Sequence, residues 1–558
     1  MTVNNFKDKS AKTTDVMSVV RRILPYAAAL LTAGIGIGLV LYYIIGPSEW
    51  YMTADCTDSL LWSQATFESG KLVSEDFYYA AVIPFGGNLI FLPFIALFGY
   101  SMTAQICGLC TYAVLLFAAV IYLGRGLGYK WYTAGGMLSL LVLIMSSSAK
   151  LREIMWEHIF YYNLGILFFC LGMGLAVRIF REGGFIDTDE KKATDIVLIG
   201  VLSIFAMICA TNGLQSLVCF ILPVLAAMFA ALFLDSEIKL ISKQALCALI
   251  VIFAVGICTL VGMKLTDSVT GGITAAYQEA YSTYSAMGTW VNNFLGLFNN
   301  WFTLLGVSVS AGDPMMSVES VINMIRIFCG LFLLVAPIVM LCGYRSIKSR
   351  GVRMLLVGHL AVMAFIIFAS VFGSLGGANW RLTPMLGTSV LVAFAYAVDL
   401  IGRKKAAARV GAVMLAFLIL TAGISALEIK EMKAGEYDKY DAHLITYALE
   451  ERGLERGYAT FWRSQIITML SDSKVECAVI LDGASEPIKR NYQSSDSWYE
   501  DGEDTNEYFL LLDSAENVSY ATWRAMNVHL QTDSFVITNA NTGVNYYVYV
   551  YSENIVKK

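Results

Sequence analysis

The chain has 558 residues, of which 57% are hydrophobic and only 15% are charged, and its formal net charge is −5. Soluble domains carry about 25% charged residues, so the composition excludes a water-soluble enzyme and indicates a polytopic α-helical membrane protein. The small net charge and the lack of a dense basic tract argue against a nucleic-acid partner.

Apolar runs that cross a bilayer need about 20 residues each. We predict about eleven such runs, at roughly 23–46, 102–124, 131–149, 159–179, 194–212, 215–234, 244–264, 321–343, 354–374, 384–401 and 410–427. The first run is too long for a signal-peptide core, so we expect it to remain as an anchor. The apolar piece from Gly87 to Phe98 is too short to span, which predicts a re-entrant or interfacial helix.

The distribution of basic residues predicts the orientation, because cytoplasmic loops are enriched in lysine and arginine. The tail at 1–22 carries Lys7, Lys9, Lys12, Arg21 and Arg22. Alternate loops are nearly free of positive charge from there on. We therefore expect a multi-pass plasma-membrane protein with a cytoplasmic tail at 1–22 and a membrane domain at 23–427. The loops at 47–101 and 265–320 and a carboxy-terminal domain at 428–558 then lie outside.

The first outside loop opens with two carboxylates, Asp55 and Asp58, in Met52-Thr-Ala-Asp55-Cys-Thr-Asp58. A transferase that moves a sugar onto a hydroxyl needs a carboxylate within hydrogen-bond reach of that hydroxyl. Asp55 follows the first run closely, where substrates held in the lipid can reach it. The two residues are three apart, so they share a face if the loop is helical. The plainer alternative is a solvated acidic cap on an interfacial helix.

A second polar segment, from Lys150 to His158, precedes the fourth run. Glu153 and Glu157 are four residues apart, so a helix would present them together. With His158 and Asp55 they are candidates to bind a divalent cation such as Mg²⁺ or Mn²⁺, or to position an acceptor. Mg²⁺ needs few protein ligands. Alternatively, these are ordinary residues of the membrane interface.

Two arginines are candidates to hold a phosphate. Arg381 stands at the start of the tenth run, and Arg326 lies about one turn inside the eighth. A guanidinium suits phosphate oxygens because it forms paired hydrogen bonds with them. The alternative for Arg381 is an interface anchor whose charged head reaches water. A cation inside a span, such as Arg326, usually has a partner or a pathway to serve.

From about Glu428 the long apolar runs stop, and a small α/β domain is predicted on the outer face. Its helices are expected at 441–452, 461–470 and 515–526, and its strands at 475–481, 508–512, 535–538 and 546–551. No metal-ligand cluster, phosphate loop or nucleophile elbow is visible there. A lid or a partner-binding module is the plainest interpretation.

The order of these features is similar to that of the GT-C superfamily of polyprenyl-phosphate-sugar-dependent glycosyltransferases. The resemblance rests on Asp55-Cys-Thr-Asp58, Ala65, Gly70 and Pro84 in the first outside loop, and on Arg381-Leu-Thr-Pro384 at a late span. Two features depart from the family pattern. Many members have an adjacent Asp-Glu pair, and a tyrosine usually follows the arginine. The combination resembles a bacterial branch acting in the cell envelope.

The resemblance implies a sugar donor carried on a polyprenyl phosphate in the outer leaflet. Arg381, with Arg326, would hold the phosphate leaving group. Asp55 would deprotonate the acceptor, a glycan, protein or lipid, and the attack would invert the anomeric carbon.

Two other classes of protein fit a polytopic chain of this kind. A transporter or flippase of lipid-linked or small solutes would show repeated halves and ionisable residues near mid-membrane. A non-catalytic scaffold with GT-C-like architecture would tolerate the loss of Asp55.

Overall fold

The computed structural model of the chain describes residues 26–27, 30–182, 193–234, 242–275, 282–374, 378–433, 435, 439–501 and 507–556. The predicted cytoplasmic tail at 1–22 lies outside the described residues.

An apolar helix comes first among the described elements, and a compact loop with two further helices follows it. The elements are α1 (Leu30–Ile45), 3-10 turns at Pro47–Trp50 and Ala54–Thr57, α2 (Asp58–Ser69), β1 (Phe77–Tyr78) and α3 (Gly87–Phe98). α2 ends at Gly70, whose φ of 66° is a left-handed conformation that favours glycine. α3 has 12 residues and contains Pro93, so it is too short to span, as the sequence predicts.

The membrane part consists of long helices. They are α4 (Met102–Gly126), α5 (Trp131–Ile144), α6 (Ala149–Arg152), α7 (Tyr161–Ile179), α8 (Ala193–Ala210), α9 (Leu214–Phe233), α10 (Lys243–Thr270), α11 (Trp290–Leu304), α12 (Val318–Cys342), α13 (Arg350–Phe372), α14 (Thr383–Ile401) and α15 (Lys405–Glu431). Within the described residues, nine helices are long and apolar enough to cross a membrane, namely all of these except α5, α6 and α11. The chain is therefore a multi-pass membrane protein.

Nine predicted runs coincide with these nine helices, whereas the run predicted at 131–149 is broken. α5 ends at Ile144, and the chain then bends by 119° into α6 and a π-helical turn at Glu153–Glu157. Two serine hydroxyls stabilise the bend. Ser148 accepts a hydrogen bond from the backbone N–H of Leu151 at the start of α6, and Ser146 accepts one from the Trp156 indole at 2.8 Å. Hydropathy alone does not register these local hydrogen bonds.

The carboxy-terminal part, here called the sheet unit (residues 439–501 and 507–556), is built on five strands. They are β2 (Arg456–Thr460), β3 (Glu476–Ile480), β5 (Tyr508–Asp513), β6 (Gln531–Thr538) and β7 (Asn545–Tyr551), in the order β3-β2-β5-β7-β6. β2 runs parallel to β3 and β5, and β7 runs antiparallel to β5 and β6. A two-residue strand, β4 (Ser494–Ser495), stands apart from this sheet.

Helices cover both faces of the sheet. They are α16 (Asp441–Glu451), α17 (Phe461–Leu470), α18 (Ser514–Ser519) and α19 (Ala521–Met526). Side chains alternate along a strand, so Phe509 and Leu511 of β5 share a core with α16 and α17. Leu510 and Leu512 pack on the opposite side with Trp523 of α19. β5 is therefore buried on both faces.

Most predicted elements of the sheet unit are confirmed, but β2, which lies between β3 and β5, was not predicted. It has five residues, includes Gly457, and leads directly into α17. Glycine is depleted in strands, so the segment resembles a turn in the sequence. The helix predicted at 515–526 is divided into α18 and α19 at Tyr520.

The sheet unit packs on the end of the bundle that carries the first loop. β1 of that loop pairs antiparallel with β4. Ala54 belongs to one apolar cluster with Phe461 and Val479 of the sheet unit. Near the start of α4, the backbone N–H of Met102 donates to Asp472 at 3.1 Å. The first loop is thus held between membrane helices and the sheet unit.

Candidate active site

Contacts between side chains bring the three predicted polar loops together. Nε2 of His158 lies 3.6 Å from Oδ2 of Asp58, which joins the second loop to the first. The Lys150 ammonium lies over the Trp380 ring at 4.8 Å from its centroid. This contact joins the second loop (150–158) to the third, the turn Asn379–Leu382 that carries Arg381. These loops are far apart in sequence, so the fold assembles the site.

Asp58 and His158 form a largely buried pair, with side chains 5% and 12% exposed. Burial raises the pKa of Asp58 to about 6, although His158 opposes that rise. Burial lowers the pKa of His158, but the neighbouring Asp58 carboxylate outweighs it, so the net shift is upward. The pair therefore holds a proton more readily than either group would alone in water.

Asp55 lies in the 3-10 turn that leads into α2, and its side chain is partly exposed. Within the described part of the chain, its carboxylate makes no hydrogen bond or ion pair. Its charge nevertheless acts on both Asp58 and His158. Of the two predicted carboxylates, Asp55 is thus the one that an incoming hydroxyl can reach.

Glu153 and Glu157 have different partners. The intervening turn is π-helical, with the His158 backbone N–H donating to the Glu153 carbonyl at 2.8 Å. Glu153 pairs with Lys150 at 2.7 Å. Glu157 is 1% exposed and accepts a hydrogen bond from the Tyr43 hydroxyl of α1. The α-helical spacing that would present both carboxylates together is therefore absent.

Among the described residues, no group of three or more His, Cys, Asp or Glu side chains is arranged to hold a metal ion. A divalent cation held by fewer protein ligands stays a prediction.

Glu157 instead fixes the first loop in place. Besides the Tyr43 hydroxyl, its carboxylate faces the Cys56 thiol at 3.8 Å. Gln105 of α4 donates from Nε2 to the Cys56 carbonyl at 2.9 Å and to the Glu157 carbonyl at 3.3 Å. The sequence analysis did not single out Tyr43 and Gln105, because each lies inside an apolar run. The only signal there was a polar side chain among apolar neighbours.

Arg381 is 8% exposed and belongs to the 3-10 turn Asn379–Leu382 that precedes α14. Pro384 lies in the first turn of α14, where a missing N–H leaves no helical hydrogen bond unmade. The Arg381 side chain contacts the Tyr162 hydroxyl at the start of α7. The Lys150 ammonium lies over the ring of the neighbouring residue, Trp380.

Arg326, the other predicted phosphate ligand, is held by a carboxylate. Its guanidinium donates to both carboxylate oxygens of Glu428, at 2.7 and 2.8 Å, and to the Gly306 carbonyl at 2.9 Å. Glu428 lies in the last turn of α15. The charge of Arg326 is thus compensated inside the protein, and its role toward phosphate stays a prediction.

An apolar groove of about 460 Å³ lies between α3, α4 and α7. Its lining residues are Phe85, Gly86, Leu89, Ile90, Leu115, Ala118, Ala119, Tyr122, Leu164, Leu167, Phe168 and Leu171. Gly87, next to its upper end, packs so tightly that a Cβ would stand 2.6 Å from the Ser59 hydroxyl and the Ile159 carbonyl. Ser59 and Ile159 directly follow Asp58 and His158 in the sequence, so Gly87 links the groove residue Gly86 to the two segments that carry the pair.

A second cleft, of about 340 Å³, separates α2 from β4. Its rim carries the carboxylates of Glu68, Asp76, Asp496 and Glu500, and the ring of Trp498. It lies where the first loop meets the sheet unit.

The predicted outside loop at 265–320 contains helical segments, since α10 continues to Thr270 and α11 occupies 290–304. Its aromatic residues could line an acceptor cleft or lie at the membrane interface. Trp301 is 2% exposed and donates to the Gly330 carbonyl of α12 at 3.1 Å. It packs between helices. Tyr284 is 72% exposed, and Tyr277 and Tyr281 lie outside the described residues.

No family model and no curated protein matches the sequence. A solved structure does: that of ArnT from Cupriavidus metallidurans bound to undecaprenyl phosphate, at 10% identity and a TM-score of 0.50. The match covers 96% of this chain and 99% of that chain. The apo structure of the same ArnT matches at 10% identity and a TM-score of 0.46, over 97% of this chain and 100% of that one. The fold of this chain is therefore similar to that of ArnT over nearly its whole length, in agreement with the predicted helical membrane domain followed by a small α/β unit.

Proposed function

We propose that this protein is a membrane glycosyltransferase that moves a sugar from a polyprenyl-phosphate carrier to an acceptor hydroxyl on the outer face of the membrane. The observation that carries the proposal is the partly exposed Asp55 carboxylate beside the buried Asp58–His158 pair. It occurs in a chain that shares the ArnT fold over 96% of its length. The ArnT of that structure binds undecaprenyl phosphate.

Asp55 is proposed as the general base. A base must come within hydrogen-bond distance of the hydroxyl that it deprotonates. Asp58 is buried and faces His158, whereas Asp55 is accessible. The Asp58–His158 pair then holds the loop and sets the charge around Asp55.

Arg381 is proposed to hold the phosphate that links sugar and lipid. A guanidinium binds phosphate oxygens through a fixed fork of donors. The Lys150 ammonium lies over the neighbouring Trp380 ring, but its charge is compensated by Glu153. As the sugar leaves, negative charge gathers on this phosphate, and cations placed in advance stabilise it. Arg326 donates to both carboxylate oxygens of Glu428 and to the Gly306 carbonyl, so it is kept as the second candidate for the phosphate.

The reaction follows from this arrangement. Asp55 takes the proton of the acceptor hydroxyl, whose oxygen attacks the anomeric carbon on the side opposite the phosphate. The bond between that carbon and the phosphate oxygen breaks, and polyprenyl phosphate leaves with the electron pair. One displacement inverts the anomeric carbon. The apolar groove suits the polyprenyl chain, since α7 lines it for about 10 Å between Leu164 and Leu171.

A transfer assay in proteoliposomes tests the proposal. Purified protein is given a panel of polyprenyl-phosphate monosaccharides with envelope glycans, lipids and peptides as acceptors, and the release of polyprenyl phosphate is measured. We expect wild type to consume one donor and Asp55→Asn to lose about 10²–10⁴-fold in rate. Glu75→Gln is the matched control, because Glu75 is an exposed carboxylate of the same loop, paired only with Lys71.

Three results would contradict the proposal. Equal donor consumption by wild type and Asp55→Asn would remove Asp55 from the chemistry. Movement of an intact lipid-linked sugar across the bilayer, without its consumption, would identify a flippase. A folded wild type that consumes and moves no donor of the panel would favour the scaffold.

A further inference from the structure

Gln493 belongs to the sheet unit, yet its side chain is fully buried against the first loop. Its exposed fraction is 0%, and its backbone N–H donates to the Tyr78 carbonyl at 2.6 Å. The next two residues form β4, which pairs with β1. The pairing of β4 with β1 places the polar Gln493 side chain of the sheet unit inside the first loop.

The orientation of the Gln493 carboxamide is fixed by its neighbours. Its Oε1 accepts from the Trp62 indole N–H at 2.8 Å and lies 3.4 Å from the Ala80 backbone N–H. Both groups only donate, so the oxygen must face them and the NH₂ group must face the other way. Asp58 lies one turn before Trp62 on α2, so both residues share the face of the helix that contacts Gln493, and Gln493 interacts with the Asp58 carboxyl.

Asp58 and Gln493 have complementary unsatisfied atoms. Oδ1 of Asp58 and Nε2 of Gln493 are both buried, and neither has a hydrogen bond of ordinary geometry among the described residues. Buried polar atoms are rarely left in that state. One of these atoms accepts and the other donates, so a small adjustment joins them.

The backbone at Gln493 shows that this placement is enforced. Its φ is 49°, a left-handed conformation that side chains with a Cβ rarely adopt. Such strain persists where surrounding contacts over-determine the conformation, and it concentrates at functional sites. The contacts here are the hydrogen bonds to Tyr78 and Trp62.

We propose that Gln493 is a positioning residue of the candidate active site, whose amide donates to Oδ1 of Asp58 and holds that carboxylate against His158. The sheet unit then completes the first loop. The consequence for turnover rests on the proposed function, whereas the contact itself does not. Without the amide donor, the ionised form of Asp58 loses a partner, so its pKa rises above the present value of about 6.

Gln493→Gly is the sharpest variant, because glycine suits the left-handed backbone while the amide is removed. Ser473→Gly is its matched control. Ser473 also has a left-handed φ, of 62°, and its hydroxyl donates across the same junction to the Tyr100 carbonyl at 2.7 Å. It touches neither carboxylate of the first loop. Gln493→Asn, which shortens the amide and tolerates the same backbone, replaces Gln493→Gly if the latter does not fold.

The measurement is the thermal unfolding midpoint of the full chain in nanodiscs from pH 4 to pH 8, with Asp58→Asn as the reference that lacks the titration. The titration assigned to Asp58 should move up by about half a pH unit or more in Gln493→Gly and stay in place in Ser473→Gly. In the Asp58→Asn background, Gln493→Gly should produce no such shift. If the proposed transfer is observed, the acid limb of its pH–rate profile should move in the same direction.

An unchanged titration in both Gln493 variants would reduce Gln493 to a packing residue and overturn the inference. A wild type that transfers no sugar would overturn the proposed function alone, since the unfolding titration would still decide the contact.

Discussion

Nε2 of His158 lies 3.6 Å from Oδ2 of Asp58, and both groups are largely buried between the second and first loops. The pair combines an acidic group whose pKa is raised to about 6 with an imidazole whose pKa is also raised. Protonation of this one junction is therefore coupled to how firmly the two loops are held together.

The first prediction concerns stability and pH. Both pKa values are higher in the folded protein than in the unfolded chain, so folding favours the protonated groups. For Asp58 this stability is fully present below about pH 4 and is lost as the pH rises through about 6. For His158 it is present below about pH 6.5 and is lost above that value. The loss for Asp58 is on the order of 2 kcal/mol.

Asp58→Asn removes the Asp58 titration and lowers the pKa of His158, so the unfolding midpoint of the variant minus that of wild type should rise from pH 4 to pH 8. Asp76→Asn, at an exposed carboxylate of the same loop, should give a flat difference. Thermal unfolding in nanodiscs checks both. A flat difference for Asp58→Asn as well would show that the pair does not titrate in this range.

The second prediction concerns the phosphate. Arg381→Ala should lower kcat/KM for the lipid-linked donor on the order of 100-fold, because hydrogen bonds to charged groups contribute about 1.5–3 kcal/mol. Arg381→Lys keeps the positive charge but loses the paired donors of the guanidinium, so kcat/KM should still be about tenfold lower than in wild type. Binding of undecaprenyl phosphate, measured by calorimetry, should weaken in the same order.

Arg452→Ala is the control for this series, since Arg452 is 48% exposed and pairs with Asp533 at 3.5 Å in the sheet unit. An Arg381→Ala variant with wild-type affinity for undecaprenyl phosphate would remove Arg381 from the donor site.

The third prediction separates packing from phosphate binding at Arg326. Glu428→Gln leaves the Arg326 guanidinium without its compensating charge, but the Glu428 side chain is 38% exposed and water screens the loss. We expect a loss of about 1 kcal/mol in the free energy of unfolding. Arg326→Met should lower the unfolding midpoint while leaving KM for the donor unchanged. A rise in KM as large as that of Arg381→Ala would instead place Arg326 at the phosphate.

The fourth prediction concerns the close approach at Gly87. Gly87→Ala places a Cβ 2.6 Å from the Ile159 carbonyl, which is backbone that yields little. We expect about 1–3 kcal/mol of destabilisation and a loss of activity, because the Asp58–His158 junction must open. Gly296→Ala in α11 meets open space and should instead stabilise by about 0.5–1 kcal/mol. Changes in the unfolding midpoint that have the same sign in both variants, each relative to wild type, would contradict this account.

The membrane helices could be predicted from the sequence because the length of an apolar run shows directly whether it can cross the bilayer. It predicted three polar loops from residue types that are costly at a membrane face, and contacts among those loops are present at His158 and Trp380. The break after Ile144 escaped because serine hydroxyls, which hydropathy weighs only as mildly polar, stabilise it.

Partnerships between distant segments escaped as well. In the sequence, Glu428 marks only the position where the long apolar runs stop. In the structure its carboxylate pairs with the Arg326 guanidinium. Gln493 sits in an irregular stretch with no periodicity, and nothing local indicates that Trp62 will orient it. Such pairs depend on how two elements dock, which a pattern within either element does not encode.

The described residues that have left-handed backbone without being glycine are Asp472, Ser473 and Gln493, and all three sit at the junction with the first loop or the start of α4. Asp55 and Asp58 are translated long before these three residues. A nascent chain that has made its first loop but not yet the sheet unit therefore carries the two carboxylates without the contacts that order them. The first loop can reach its final structure only after Gln493 has been translated.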